Sequence, residues 1–433
     1  MQESRGETPS RASWRHFTPH TSGVTPRPAS TAALVLFIAF ACNMIGRGIA
    51  DSFMVFVLPL SEEFGWTRAR VSSVYSAFLV VTGLAAPLTG LMIDRWGPRV
   101  VYPLGMLLLA SASLVSANLS MLWQFQLCIG LLAGLGVSML GMVPASILIS
   151  RWFRERMSTA MGVAYAGFGT GTIVMVPLAQ RSIELQGWRD TYTTMGVATL
   201  AILPLLLLLP WRRIAGDRPV RAKTDPLPST TREALLKALR TRAYWQIVQV
   251  FSFTSITTFS VITQVVPFLV QSGLSPLAAA SAFGTAGLLS IFGILISGWT
   301  ADRFGYRWAA TASFASTFLG IVSLLAFSWT QAPWLVVAFV ICFGSAMGAR
   351  GPIVSSLAAR HFGGPSFATI YGTMFACMSV SGALAAFIAG WLYDVTGGYR
   401  AGLFFSMTTI LVAASPFWMP RPITGPPPDR ARG

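Results

Sequence analysis

Long apolar segments separated by short polar stretches dominate this sequence and restrict what it can fold into. A helix needs about 20 apolar residues to cross roughly 30 Å of hydrocarbon, and segments of about that length recur twelve times along the 433 residues. Charged residues make up only 11% of the chain, where about 25% is usual for soluble domains. Because so few charges cannot cover a water-exposed surface, we predict an all-α integral membrane protein.

The twelve segments, which we call spans 1 to 12, form two sets of six. The first set covers residues 31–60, 71–93, 100–118, 121–150, 157–180 and 191–210, and the second covers residues 243–271, 276–298, 308–329, 333–358, 367–392 and 401–419. We therefore expect an N-terminal six-helix bundle over 31–210 and a C-terminal bundle over 243–420, and we call these bundles the N-half and the C-half.

The segments outside the bundles are polar. Residues 1–30 and 421–433 are rich in proline and arginine and are predicted to be disordered tails. The linker, residues 211–242, joins the two halves. Within it Thr230-x-x-Glu233 is a capping box, and the leucines that follow predict a short amphipathic helix along the membrane surface.

The net charge of +16 is typical of nucleic-acid binding, but the positions of the charges indicate topology instead. If the N-terminus is inside, 24 basic residues lie in inner segments, five lie in outer loops and two lie within spans. This distribution follows the positive-inside rule. We therefore expect a multi-pass protein with both termini cytoplasmic and no nucleic-acid partner. Arginine outnumbers lysine 29 to 2, which is typical of a GC-rich bacterial genome and favours a bacterial inner membrane.

An internal repeat relates the two sets of spans. Residues 90–99 (GLMIDRWGPR) after span 2 and residues 298–307 (GWTADRFGYR) after span 8 share the pattern Gly-x-x-x-Asp-Arg-x-Gly-x-Arg at an offset of 208. Residues 187–189 (GWR) recur as residues 398–400 (GYR) at an offset of 211. Such self-similarity indicates a duplicated six-helix unit.

The doubled loop motif resembles the signature loop of the major facilitator superfamily, and the resemblance covers residues 31–420. It implies two six-helix bundles that rock about a central site, and a transporter rather than an enzyme. A carboxylate of this motif can meet a helix N-terminus of the opposite half or a nearby arginine. The alternative is that these charges only cap helices and fix topology. The resemblance assigns gating to Gly90, Asp94, Arg95, Gly97, Arg99, Gly298, Asp302, Arg303, Gly305 and Arg307.

Two passages resemble the monocarboxylate and oxalate/formate transporter branch. They are residues 151–171, with their basic start and later glycines, and residues 371–394, which contain Tyr371-Gly372 and GWLYD. The chain also departs from related patterns. Gly130 stands where many proton-coupled members carry an arginine in span 4, the span-5 motif of drug antiporters is replaced by GFGTG, and residues 281–297 lack the branch's span-8 arginine.

Three charged residues lie within the spans, where ionisable groups are costly and are usually functional. Arg47 and Asp51 are spaced i, i+4 in span 1 and share a helix face, and Arg350 lies in span 10. If Asp51 compensates Arg47, one positive charge is left over, and arginine presents a planar fork to carboxylates. We therefore predict transport of a small organic anion, a mono- or dicarboxylate, bound by Arg350, Arg47, Tyr165, Tyr371 and Gln264.

Alternatives stay open for each of these residues. Asp51 is the only acidic residue within the spans and is the candidate proton carrier for symport, whereas anion exchange would not need it. The Arg47–Asp51 pair can instead be structural, and Arg350 can cap carbonyls at a break in span 10 near Gly348 and Pro352. The tyrosines and glutamines can form interhelical hydrogen bonds.

Two other functions compete with anion transport: export of drug-like or amphipathic metabolites, and a transport-inactive sensor or scaffold. The three histidines are scattered and predict no metal site. No phosphate-binding glycine-rich loop precedes a Lys-Ser/Thr pair, so we expect no cofactor. The expected partners are the anion, protons and the lipid bilayer, and we expect a monomer.

Overall fold

Helices account for nearly all of the chain that the computed structural model describes. The described residues are 29–66, 68–153, 156–214, 231–364, 366–420 and 423–424. The predicted tails lie almost entirely outside them, and so does Thr230 of the predicted capping box.

Several spans of the N-half are interrupted. The two helices of span 2 bend by 44° at their junction, where Pro87 opens the second helix and removes a backbone donor. Span 1 comprises Ala29–Asp51 and Phe53–Phe64, span 2 comprises Arg68–Leu84 and Ala86–Trp96, span 3 is Pro98–Ser116, and span 4 comprises Leu122–Phe125, the π-helix Gln126–Ala133, Gly134–Leu140 and Met142–Trp152.

Spans 5 and 6 run almost without a loop between them in Met157–Leu208. A straight helix of these 52 residues would be about 78 Å long, yet Trp152 Nε1 donates to the Ile214 carbonyl at 2.7 Å. The chain therefore returns to the side from which it started. It reverses at Gly187, whose φ of +81° breaks the helix and which glycine adopts without steric cost.

The C-half has longer helices with defined starts. The Thr241 side chain caps span 7 and the Ser275 side chain caps span 8, which satisfies backbone donors of the first turn. Span 7 is Arg242–Gln271, span 8 is Pro276–Phe304, span 9 is Tyr306–Thr330, span 10 comprises Pro333–Ala346 and Arg350–Phe362, span 11 is Phe367–Thr396, and span 12 is Arg400–Ala414 followed by the 3-10 turn Ser415–Phe417.

The predicted all-α fold with twelve spans in two six-helix bundles is confirmed. Within the described residues, ten helices are long and apolar enough to cross a membrane, and the bent pair of span 2 makes an eleventh. One of the ten is the 52-residue helix that Gly187 divides into two spans.

The internal repeat is visible in the backbone. Gly97 and Gly305 follow spans 2 and 8 at the 208-residue offset, with φ of +77° and +90°. Gly65 and Gly273 follow spans 1 and 7 at the same offset, with φ of +64° and +98°. The equivalent spans of the two halves therefore end in equivalent turns.

We call the end of the molecule that carries residues 90–99 and 298–307 the basic face, and the opposite end, with the turns at Gly65 and Gly273, the far face. One apolar core cluster contains residues of both halves, including Tyr165 and Ile353, whereas each of the other clusters contains residues of only one half, with Trp211 and Ile214 of the linker joining a cluster of the N-half. The linker helix Thr231–Leu239 packs at this shared cluster through its buried Ala238.

Glycines allow the halves to approach closely. Each of four glycines lies against a backbone carbonyl oxygen of the other half, and an added Cβ atom would come within 2.2 to 2.9 Å of that oxygen. The internal repeat relates these contacts in pairs, with equivalent residues of the two halves exchanged. They are Gly90 with Ala368, Gly298 with Ser158, Gly162 with Ile294, and Gly372 with Ala86.

We expect Gly90→Val to open the basic face, because the Ala368 carbonyl is backbone and cannot move aside as a side chain could. Overpacking of this kind costs about 1–3 kcal/mol, so a cysteine placed at the buried Ser356 in a cysteine-free chain should react about tenfold faster with a maleimide. The matched control is Gly284→Val, since no atom lies within 4 Å of a Cβ at Gly284. Equal rates in the two variants would contradict the prediction.

Candidate functional site

Span 11 begins at the basic face without a capping bond of its own. Its first helical residue is Phe367, and the side chain of the preceding Ser366 makes no capping hydrogen bond. Asp94 of the N-half supplies the cap. Its Oδ2 accepts from the Thr369 backbone N–H at 2.9 Å and from the Thr369 hydroxyl at 2.8 Å. An N-cap side chain normally binds this N–H from within the same chain segment, so the N-half here completes a helix of the C-half.

The same arrangement occurs with the halves exchanged. Span 5 begins at Met157 after Arg156, whose side chain makes no capping hydrogen bond. Asp302 of the C-half accepts from the backbone N–H groups of Ser158 at 3.2 Å and Thr159 at 2.7 Å, and from the Thr159 hydroxyl at 2.8 Å. A capping bond is worth about 0.5–2 kcal/mol. The two caps therefore join the halves symmetrically.

The arginines of the two signature loops have other surroundings. Arg151 in span 4, outside the motif, is the basic residue that interacts electrostatically with Asp94. Arg303 lies over the rings of Trp299 and Phe304, and Arg307 lies 3.8 Å from the ring centroid of Trp418. Arg95 and Arg99 are exposed. The structure thus brings Asp94, Asp302, Gly90 and Gly298 to the interface between the halves, and places Gly97 and Gly305 in the adjoining turns.

A second layer of contacts lies deeper than the two caps. The Tyr165 hydroxyl donates to Ser355 Oγ at 3.0 Å, and Ser355 Oγ is hydrogen-bonded to the Tyr371 hydroxyl. Nearer the basic face, Ser158 Oγ donates to Ser356 Oγ at 2.9 Å. All of these side chains are almost fully buried. Tyr165 and Tyr371 therefore belong to the seal between the halves in this conformation, and their assignment as substrate ligands stays a prediction.

A charged network lies beyond this seal, in the N-half. Arg47 Nε donates to Asp51 Oδ2 at 2.9 Å. Asp51 also accepts from the Tyr75 hydroxyl at 2.7 Å and from the Thr172 hydroxyl at 2.6 Å, while Arg47 Nη2 donates to Tyr75 Oη at 3.3 Å. Spans 1, 2 and 5 each contribute to the network, and Thr172 lies about two helical turns beyond Tyr165 in span 5.

Arg47 retains hydrogen-bonding capacity. Its side chain is 33% exposed, whereas that of Asp51 is 13% exposed. Among the described residues, Nη1 of Arg47 has no hydrogen-bond acceptor. Spans 1 and 5 cross closely beside it, since a Cβ at Gly48 would lie 2.7 Å from the Gly171 carbonyl oxygen. This crossing fixes the position of the network, and Arg47 keeps one amino group without an acceptor among the described residues.

Arg350 is not brought together with Arg47. It is 3% exposed, and its Nη1 donates to the Ser313 carbonyl at 3.2 Å, to the Ser313 hydroxyl at 3.2 Å and to the Thr317 hydroxyl at 2.8 Å. Both partners belong to span 9, inside the C-half. The neighbouring Gly351 faces Tyr165 of the other half. These contacts tie Arg350 to span 9 rather than to the carbonyls at the break in span 10, and its Nε is buried without a partner in the described part of the chain. The assignment of Arg350 as a substrate ligand stays a prediction.

Gln264 also lies within the C-half. Its side-chain amide donates to the Ala389 carbonyl of span 11, and its Oε1 lies near the Cβ position of Gly402 in span 12. These contacts match the interhelical hydrogen-bonding alternative, and a role in binding substrate stays a prediction.

Comparisons with known proteins agree with this architecture. The family model described as Major Facilitator Superfamily matches residues 36–386 and, in an overlapping match, residues 250–433. The chain belongs to the major facilitator superfamily. It is therefore a multi-pass membrane protein and a secondary transporter, and it is not an enzyme.

The relatives also agree with the predicted branch. The chain is 27% identical over 368 residues to "Monocarboxylate transporter 13" of Bos taurus, and the aligned region covers 85% of this chain and 84% of that protein. It is 27% identical over 415 residues to "Monocarboxylate transporter 11" of Homo sapiens, covering 91% and 84% respectively. Among solved structures, the E. coli fucose:proton symporter FucP aligns with a TM-score of 0.70 at 14% identity, covering 89% of this chain and 98% of that one. The predicted resemblance to the superfamily and its monocarboxylate transporters is confirmed.

Several residues of the interface and the network were missed by sequence reasoning. They are hydroxyl-bearing side chains, which occur throughout the spans and carry no charge to single them out. The repeat offered one signal, because Thr159 and Thr369 lie 210 residues apart, close to the offset of the aspartates that they contact. The missed residues are Tyr75, Ser158, Thr159, Thr172, Ser355, Ser356 and Thr369.

We expect Asp51→Asn to destabilise the protein, because it leaves Arg47 without a counter-ion. For a partly exposed pair the loss should be about 1–3 kcal/mol, below the range for a fully buried pair, and thermal unfolding in detergent would measure it. The double variant Arg47→Gln/Asp51→Asn should recover part of the loss, while Thr172→Val, which removes one hydrogen bond, should cost about 1 kcal/mol. Strictly additive losses in the double variant would contradict the pairing.

Proposed function

We propose that the protein transports a small carboxylate and that Arg47 binds its carboxylate group. The amino group of Arg47 that has no acceptor among the described residues carries this proposal, because the Arg47 side chain is partly exposed and its network lies beyond the Tyr165–Ser355–Tyr371 seal. A guanidinium with open donors suits a carboxylate better than a neutral or cationic substrate. The names of the monocarboxylate relatives agree with this substrate class.

Asp51 and the substrate carboxylate would compete for Arg47, and this competition would couple transport to the movement of a proton. In the structure the Asp51 carboxylate accepts hydrogen bonds from Arg47, Tyr75 and Thr172. A proton on Asp51 would release the guanidinium to pair with a substrate carboxylate. One proton and one monocarboxylate would then enter together, with the charge of the site conserved. Exchange of one anion for another would not require this step.

Alternating access would depend on the basic face. The two aspartate caps and the glycine contacts hold that face closed, while Arg47 remains partly exposed. We propose that the basic face is cytoplasmic, as the arginine distribution favours, and that the protein lies in a bacterial inner membrane. The structure then corresponds to an outward-facing state. Two caps worth together about 1–4 kcal/mol would favour this state by roughly 5- to 700-fold, which a bound substrate can offset.

The central site would become accessible from the cytoplasm when the caps open. Asp94 and Asp302 bind backbone N–H groups of helices that belong to the other half, so the hydrogen bonds of both caps must break when the halves rock. We propose that Arg95 and Arg99, the exposed arginines of the first loop, meet those aspartates or lipid headgroups when the interface separates.

Counterflow in proteoliposomes tests the function. We expect uptake of labelled mono- or dicarboxylate against unlabelled substrate, and we expect Arg47→Gln to abolish it because the binding fork is lost. Arg181→Gln, which removes an exposed arginine of span 5, is the matched control for charge and should retain the activity of the parent. Absence of counterflow with every carboxylate, or full activity of Arg47→Gln, would contradict the proposal.

Asp51→Asn separates the modes of coupling. If Asp51 carries the proton, this variant should retain exchange at equal pH and lose the uptake that an imposed pH gradient drives. Uptake that still follows the pH gradient in Asp51→Asn would contradict the coupling role and leave an anion exchanger or a different proton carrier.

A further inference from the structure

At the far face the N-half binds one of its own carboxylates in a cage of side chains. Glu63, at the end of span 1, accepts a hydrogen bond from Arg189 Nη2 at 2.6 Å through Oε1 and a hydrogen bond from Trp188 Nε1 through Oε2. Arg189 is held in turn by its Nη1, which donates to the Ala117 carbonyl at the end of span 3 at 3.0 Å. Its guanidinium lies 4.2 Å from the Trp188 ring centroid. One amino group therefore anchors the arginine, and the other binds the carboxylate.

The C-half repeats this frame without the acid. Gly273 is the equivalent of Gly65 in both offset and positive φ, and the same offset of 208 places Gln271 where the N-half has Glu63. Tyr399 and Arg400 stand where the N-half has Trp188 and Arg189, at the offset of 211. The duplicated unit thus keeps the arginine and replaces its carboxylate partner with a neutral amide.

Arg400 is anchored at the equivalent residue, although through different nitrogens from Arg189. Its Nη2 donates to the Ser328 carbonyl at 3.3 Å and its Nε to the Ser328 hydroxyl at 3.3 Å, and Ser328 lies in the last turn of span 9 at the position equivalent to Ala117, again at an offset of 211. The guanidinium lies 5.3 Å from the Trp329 ring centroid. Within the described chain Nη1 of Arg400 has no acceptor. This amino group is the counterpart of the one that binds Glu63 in the N-half.

A cavity lies beside Arg400 and Gln271 in the C-half. It has a volume of about 390 Å³ and is lined by Phe268, Gln271, Ser272, Ser328, Tyr399 and Arg400, among others. Gln271 does not fill it, since its amide makes only long contacts with Tyr393 Oη, at 3.4 and 3.5 Å. The cavity therefore combines an anchored cation with a free donor, an aromatic wall and neutral polar groups.

We infer that this cavity is a second binding site, at the far face, for a small carboxylate. The ligand would occupy the place of the Glu63 side chain, which is chemically a tethered propionate, with its oxygens on Arg400 Nη1 and its alkyl part against Phe268 and Tyr399. The ligand class comes from the geometry of the N-half and does not depend on Arg47. At the mouth of the proposed outward-facing state, the site would capture anions before they reach the centre.

Propionate is the probe, and saturation-transfer NMR of the purified protein in detergent is the measurement. The Arg47→Gln background removes the proposed central site, so any remaining binding reports on the cavity. In that background propionate should bind, and Gln271→Glu should weaken its binding about tenfold, because the new carboxylate pairs with Arg400 as Glu63 pairs with Arg189. Gln271→Ala, which enlarges the cavity and leaves Arg400 free, should bind propionate as the background does.

The N-half offers a reciprocal test. Glu63→Gln gives it the residue that the C-half carries, so this variant should gain a propionate site at Arg189. No propionate binding in the Arg47→Gln background, equal binding with and without Gln271→Glu, or displacement of propionate by an equal concentration of chloride would each overturn the inference. None of these outcomes depends on transport, so failure of the proposed function leaves this test intact.

Discussion

Two helices in this transporter take their N-caps from the opposite half of the molecule, and the conformation of the whole molecule depends on these two caps. Spans 5 and 11 begin without a capping side chain of their own, and an uncapped helix start leaves backbone donors unsatisfied. Asp302 and Asp94 satisfy them. The glycines beside the aspartates allow the backbones to approach closely enough for these bonds. Closing the basic face therefore completes two helices, and opening it exposes their ends.

The charges inside the spans obey a related constraint, because a bilayer offers no water to satisfy polar groups. Arg47 and Asp51 neutralise each other and share Tyr75, whereas Arg350 uses a backbone carbonyl and two hydroxyls of span 9. The first arrangement leaves one amino group of a partly exposed arginine without an acceptor among the described residues. The second lies within the C-half and leaves Arg350 Nε buried without a partner in the described chain. Two intramembrane arginines thus have different surroundings, and we assign them different roles.

Hydropathy, the arginine distribution and the doubled loop predict the fold, since each is a property of long segments that the bilayer itself imposes. The interior of the site is less predictable. The sequence paired Arg47 with Asp51 through their i, i+4 spacing, but Tyr75 and Thr172 join them from other spans, which only packing determines. The side chain of Arg350 turns toward span 9 because Gly351 takes the position facing Tyr165, and a one-residue difference in helix phase decides this. Gly187 stood out in the sequence only as a landmark of the repeat, whereas in the structure its positive φ reverses the chain between spans 5 and 6.

Distances between spin labels on the two halves test the central claim, that the aspartate caps hold the basic face closed. In a chain freed of its four cysteines, one label pair spans the basic face and one spans the far face, at exposed positions. These pairs are Val100 with Trp308 and Leu185 with Val395. The account predicts that Asp94→Ala/Asp302→Ala lengthens the first distance and shortens the second, relative to the parent. Unchanged distance distributions in this double variant would contradict it.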